Sequence, residues 1–204
     1  MAISYPLTPP AGIRIASLRF SAISAVARNI SPFTFSSQSY NWTGTMLSGD
    51  VECPPMSRAD AEELIGFLIM AARGTFYFRD FANGTQRGTM TGSPQLNGAH
   101  VANTSTITVD TGSGSWAVGD YIQLGTGSSS KLHKITQVNL TGDPPTATSY
   151  EIFPLLRTAY PDNTAIDYTD AVGVFRLGTT TCDWSIDTAK KYGLNFSIFE
   201  AINT

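Results

Sequence analysis

Two histidines, two cysteines and a scatter of aspartates are the side chains of this sequence that could do chemistry. His100 and His133 lie far apart, and neither falls in the HxH or HxxxH spacing by which one element presents two imidazoles to a metal. A histidine standing singly in strand-like sequence is most often a packing or surface residue. Six acids, Asp110, Asp120, Asp143, Asp162, Asp167 and Asp170, fall in or beside one stretch, and acidic loops can hold calcium. They are spread among turns, where aspartate is favoured because it hydrogen-bonds its own backbone. A pair of carboxylates for glycoside hydrolysis is defined by separation in space, and nothing in the spacing points to one. No Gly-x-Ser-x-Gly elbow and no P-loop occur. The stretch "GTGSSSK" at 125–131 lacks the Gly-Lys-Ser/Thr ending and opens strand-like sequence, so it reads as a hairpin turn. The sequence thus nominates no catalytic, cofactor-binding or metal-ligating residue. The chain is expected not to be an enzyme and to need no cofactor.

Binding remains as a source of function. Trp116, Tyr121, Tyr150, Phe153 and Tyr160 could form a platform for sugar rings, although strands recruit aromatics for packing as well. The net charge of -3 gives no basic footprint for nucleic acid, and "KLHK" at 131–134 is too short to make one. Cys53 and Cys182 are expected to be separate buried thiols of a reducing compartment. No apolar run is long enough to span a bilayer, and the opening residues lack the charged start and apolar stretch of a secretory signal. The chain is expected to fold in a cytoplasm.

The elements that carry these residues are mostly strands. Charged residues are only 14% while hydrophobic residues are 42%, which fits a packed β protein with a Ser/Thr/Asn surface. "AGIRIASLRFSAISAVARNIS" alternates with a change of phase near Ser17, which predicts a bulge or bend in a long strand. "FTFSSQSYNWTGTMLSGDVECPP" follows, with Phe33, Phe35, Tyr40 and Trp42 suited to a pleated surface, a break at Thr43-Gly44 and a stop at Pro54-Pro55. One helix is predicted over 57–73. Ser57 is its N-cap, with Asp60 three residues on giving a variant of the capping box. Ala61, Leu64, Ile65, Leu68, Ile69 and Ala72 form its apolar stripe. Gly66 is tolerable there if something approaches closely, and Gly74 closes the helix at C′. From about residue 89 short strands alternate with turns at regular intervals, the pattern of a small barrel or sandwich. The ends of the chain resemble each other more than the middle. The expected organisation is a discontinuous β-sandwich domain of 1–88 and 176–204 with one helix covering a face, interrupted by a small all-β domain of 89–175.

The order of these pieces carries a resemblance. "SSQSYNWTGTMLSGDVECPPMSRADAEELIGFLIMAARGTFYF", the 89–175 strands and "CDWSIDTAKKYGLNFSIFEAI" together resemble the distal tail proteins of long-tailed, siphovirus-like bacteriophages. The resemblance spans about residues 33–202 and rests on the order of the pieces, since no single tripeptide is diagnostic. It implies a structural virion protein of the tail tip, made in the host cytoplasm. Its outer domain would be the belt-type sandwich of a hexameric homo-oligomer ring joining the tail tube protein to the baseplate hub and other tail-tip proteins. Viral DNA would pass through the lumen without specific binding. The inserted domain would project outward toward other tip proteins or a host surface glycan, and no membrane is involved. A carbohydrate-binding β module is the alternative function. Within the ring reading, "FTFSS" and "LNFSIF" are expected to be weakly protected edge strands that neighbours cover. The Pro6, Pro9 and Pro10 segment is expected to be an extended arm, with residues 1–30 reaching an adjacent subunit.

Overall fold

A computed structural model of the chain describes residues 3–79, 86–142 and 146–202. It is mainly β, with a single α-helix among many short strands. The strands are β1 Ser17–Ile30, β2 Ser37–Glu52, β3 Phe76–Phe78, β4 Gln95–Leu96, β5 Thr106–Ile107, β6 Val109–Asp110, β7 Tyr121–Leu124, β8 Lys131–Thr141, β9 Thr146–Phe153, β10 Ile166–Asp167, β11 Gly173–Leu177, β12 Trp184–Ile186 and β13 Tyr192–Glu200. The helix, α1, is Arg58–Ala71. One antiparallel sheet has the order β1-β2-β13-β11-β3, with β12 pairing β13 as well; a second runs β10-β7-β8-β9-β5, and β4 pairs β6. No sheet closes into a barrel.

α1 forms where its caps place it. Ser57 is extended (φ -68°, ψ 161°) and its hydroxyl oxygen accepts from the Asp60 amide. The same hydroxyl donates to the Asp60 carboxylate at 2.9 Å. The acid therefore grips the cap side chain and not the cap backbone, unlike a full capping box. The buried face is Ala61, Leu64, Ile65, Phe67, Leu68 and Ala71. This corrects the predicted stripe, because Ile69 is 46% exposed and Phe67 takes its place, its ring packed edge-on against Phe76 at 5.6 Å. Gly66 has open space where a Cβ would lie, so no close approach within the chain requires it. Gly74 lies one residue beyond C′, since the cap is Ala72. What holds that position to glycine is Tyr5, whose ring carbons lie 2.3 Å from where a Cβ would stand.

The helix covers one face of the first sheet. Leu47, Val51, Leu194, Ile198, Phe76, Phe78 and Phe175 meet it there, with Leu18, Phe20 and Phe196 partly buried alongside. A second unit is built on another cluster, which joins Leu96, Ile107, Trp116, Ile122, Leu124, Ile135, Tyr150, Ile152, Leu156 and Ile166. β8 serves both, because alternate residues face opposite ways: Ile135 belongs to the second cluster and Leu132 to the first. β11 pairs with β3 and β13, so the first sheet resumes at Gly173. At the other end, the amides of Arg87 and Gly88 already donate to Asp120 of the second unit.

Four local expectations change. The break in phase near Ser17 is the start of β1, and Ile13 and Ile15 precede the strand. The irregularity lies further on, where the register passes from Ser24↔Thr45 to Val26↔Asn41. Trp42, Thr43 and Gly44 thus stand opposite Ala25, and Thr43-Gly44 bulges β2 without ending it. "LNFSIF" is no edge: β13 runs between β2 and β11. The N-terminal segment packs on its own chain. Leu7 donates to the Thr75 carbonyl and accepts from the Tyr77 amide, both at 2.9 Å. The Tyr5 hydroxyl donates to the Met70 carbonyl at 3.0 Å, and residues 17–30 are β1.

Candidate interaction surface

β1 and β2 make one hairpin, far longer than the five or six residues of a usual strand. Its root lies in the first sheet, where Leu47 and Val51 are buried. β13 accompanies β2 only as far as Ser48. Beyond that point the hairpin has no strand beside it among the described residues, and every residue from 26 to 30 and from 37 to 44 is exposed. Apolar side chains nevertheless continue on both faces. Val26 and Ile30, 45% and 54% exposed, share a face with Arg28. Tyr40 and Trp42 neighbour each other at 6.3 Å, and Tyr40 lies on the other face, paired with Ala27.

At the tip, Ser31 closes the turn. Its amide donates to Ser36 O and its carbonyl accepts from Phe35 N, both at 2.9 Å. Phe33 and Phe35 are 91% and 81% exposed. Phe35 also holds φ at 54°, a left-handed conformation that costs a bulky residue energy. Neither water nor local packing rewards phenylalanine here. Burying each such side chain is worth about 1.5–3 kcal/mol, and a lone two-stranded ribbon is only marginally stable in water. The only charged side chains before Asp50 are Arg14, Arg19 and Arg28, so the projecting part of the hairpin carries a single charge, that of Arg28. β1, bonded in the sheet only to β2, is the long open edge.

Most of the groups that sequence put forward for chemistry have structural partners instead. Asp120 is buried and accepts from the amides of Arg87, Gly88 and Ala117. Asp162 accepts from Gly98 N and Asp167 from Thr169 N. Asp170 pairs with Arg79. Asp110 has one buried carboxylate oxygen without a hydrogen-bond partner among the described residues. Asp143 lies outside the described residues. His100 is held between Gly98 O and the Thr108 amide. His133 is fully buried, with Nδ1 at 2.8 Å from Pro154 O. A carbonyl can only accept, so Nδ1 carries the proton, and the buried Nε2 has no partner among the described residues. Burial pushes this imidazole down to about 4, with Lys131 and Arg157 acting in the same direction and the Pro154 bond and Glu200 opposing. Residues 127–129 form a short 3-10 turn between β7 and β8. Among the described residues no group of three or more His, Cys, Asp or Glu is placed to hold a metal ion. Both thiols are free, and burial, with Glu52 adding to it, raises Cys53 to about 11.

The five aromatics considered as a sugar platform are packing residues. Trp116, Tyr150 and Tyr160 are buried in the second cluster, and Tyr121 and Phe153 pack against the first. Lys134 lies over the Tyr121 ring, 4.7 Å from its centre. Among the described residues the exposed aromatics are Phe33, Phe35, Tyr40 and Trp42 of the hairpin, with Trp184 on β12 and Phe199 on β13. Their alternation in sequence is the same whether the strand is covered or bare, which is why sequence reads them only as a pleated surface.

Comparison of the chain with protein-family models and with curated proteins finds no match.

Proposed function

We propose that this chain is a structural subunit of the tail tip of a long-tailed bacteriophage. It builds a ring that joins the tail tube to the baseplate hub and tip proteins. The observation that carries the reading is the hairpin: a long ribbon, apolar on both faces and at its tip, with nothing among the described residues to cover it. The order of sequence pieces, which resembles that of distal tail proteins, supports this choice of assembly. A cyclic ring needs heterologous contacts, in which two different surfaces of one subunit meet their complements on its neighbours. The first sheet offers such surfaces in the open edge of β1 and in β12, whose Trp184 and Ile186 are 48% and 56% exposed. In this reading residues 89–175 face outward toward tip proteins or host surface sugars, and DNA crosses the lumen without specific contacts.

Light scattering on the sized protein, alone and mixed with tube and hub proteins, tests the reading. The wild type is expected to form a large closed species. A Phe33→Ser/Phe35→Ser variant is expected to stay monomeric with an unchanged melting temperature, since both rings are exposed in the single chain. A wild type that remains monomeric at high concentration and ignores both partners would falsify the proposal.

A further inference from the structure

The hairpin leaves the body at residues 45–47, and the groups that hold it there are gathered on one carboxylate. β13 ends at Glu200, and its side chain, only 2% exposed, turns to meet β2 where β2 loses its neighbour. Glu200 Oε2 accepts from the Leu47 amide at 3.2 Å. Both its oxygens also accept from Arg157, Oε1 from Nε at 2.9 Å and Oε2 from Nη2 at 2.6 Å. Arg157 belongs to the loop after β9, in the second unit. Two residues earlier, the Leu155 amide donates to the Thr45 hydroxyl oxygen at 3.0 Å, again at the hairpin root. Lys131 of β8 donates to the carbonyl of Ala201, next to Glu200. A forked guanidinium-carboxylate pair fixes direction as well as distance. Buried as this one is, it has no water to substitute for a lost partner.

We propose that Glu200 is a positioning residue that couples the projecting hairpin to the second unit. One carboxylate sets both the direction in which the hairpin departs and the seat of the 154–157 loop. A partner that seats the hairpin therefore also orients the second unit, and a ligand on that unit acts back on the hairpin, as reciprocal coupling requires. The inference holds for any partner of the hairpin and does not depend on the ring.

Residue-resolved amide exchange on the full chain tests it. In Glu200→Gln the amides of Leu47 and Leu155 are expected to exchange about tenfold faster, together, because a charge-assisted bond at each side of the joint is weakened. Amides within α1 and at Ile122 and Ile135 keep their rates. Acceleration on one side only, or on neither, overturns the coupling. Where Glu200→Gln speeds every amide alike, Thr45→Val decides, since it removes one hydroxyl and no charge. Faster exchange at both Leu47 and Leu155 in that variant supports the joint. A change at Leu155 alone refutes it.

Discussion

Lowering the pH should loosen this protein through one side chain. His133 is fully buried, donates through Nδ1 to Pro154 O, and leaves Nε2 without a partner among the described residues. Protonation would place a charge and a new N–H where no acceptor lies, close to Lys131 and Arg157. Its folded value of about 4 stands below the 6.5 of a free imidazole. The neutral form is thus bound more tightly by the folded state, and stability is whole above pH 6.5. It falls as pH drops toward 4, because the unfolded chain takes up a proton that the folded chain refuses. The loss works out at about 2 kcal/mol by pH 5 and about 3 kcal/mol at pH 4. Carboxylates titrate in the same range, so the contrast with a variant isolates the histidine. His133→Gln keeps a donor for Pro154 O and has nothing to protonate. Urea unfolding at pH 7.5 and 5.0 should show the wild type losing about 2 kcal/mol more than the variant. A parallel NMR titration should find the His133 imidazole still neutral at pH 5. Equal pH dependence in the two proteins, or a His133 resonance titrating near 6.5 in the folded state, refutes the reasoning.

Other expectations concern the helix. Leu64→Asp or Leu68→Asp should cost several kcal/mol in chemical denaturation, because each side chain is 2% exposed and the carboxylate would have no partner. Ile69→Asp should change the unfolding midpoint little. Gly66→Ala should raise stability by about 1 kcal/mol, since the position is helical and open; thermal melting of the pair measures it. Gly74→Ala should lower the melting temperature by driving a methyl into the Tyr5 ring, and Tyr5→Ala in the same chain should remove most of that further loss.

The helix was legible because its signals are local. Ser57 and Asp60 mark its start without help from the rest of the chain, and the turn-punctuated strands after residue 89 were readable for the same reason. Which face of the helix is buried was less so. Leu64, Ile65, Phe67, Leu68, Ile69 and Met70 make it apolar nearly all round. Periodicity then permits two arcs, and the sheet beneath chooses the one with Phe67 and without Ile69. Edge and centre are not local properties at all. "LNFSIF" is central only because β2, far away in sequence, lies beside it. The exposed hairpin escaped for a further reason: Phe33, Phe35, Tyr40 and Trp42 have the residue types of a covered strand, yet nothing among the described residues covers them. No motif marks such a surface, so a search for catalytic spacing passes over it.

The place of β13 in the first sheet has a consequence for synthesis. Glu52 of β2 waits for Asn195, and Val51 for Phe196, so the strand that fills the middle of the sheet leaves the ribosome after every other strand described. The second cluster draws on Met90 to Ile166, a continuous stretch that can collapse while the first sheet still has a gap. During that interval Phe20, Phe76 and Phe78 lack β13, and the hairpin lacks even the support of its root. A chain released before Ile198 would lose that side chain, Glu200 and the joint with Arg157 together. Such a nascent chain, with an open sheet and a bare aromatic ribbon, is a natural client for chaperones. Truncation before Ile198 should accordingly yield insoluble protein.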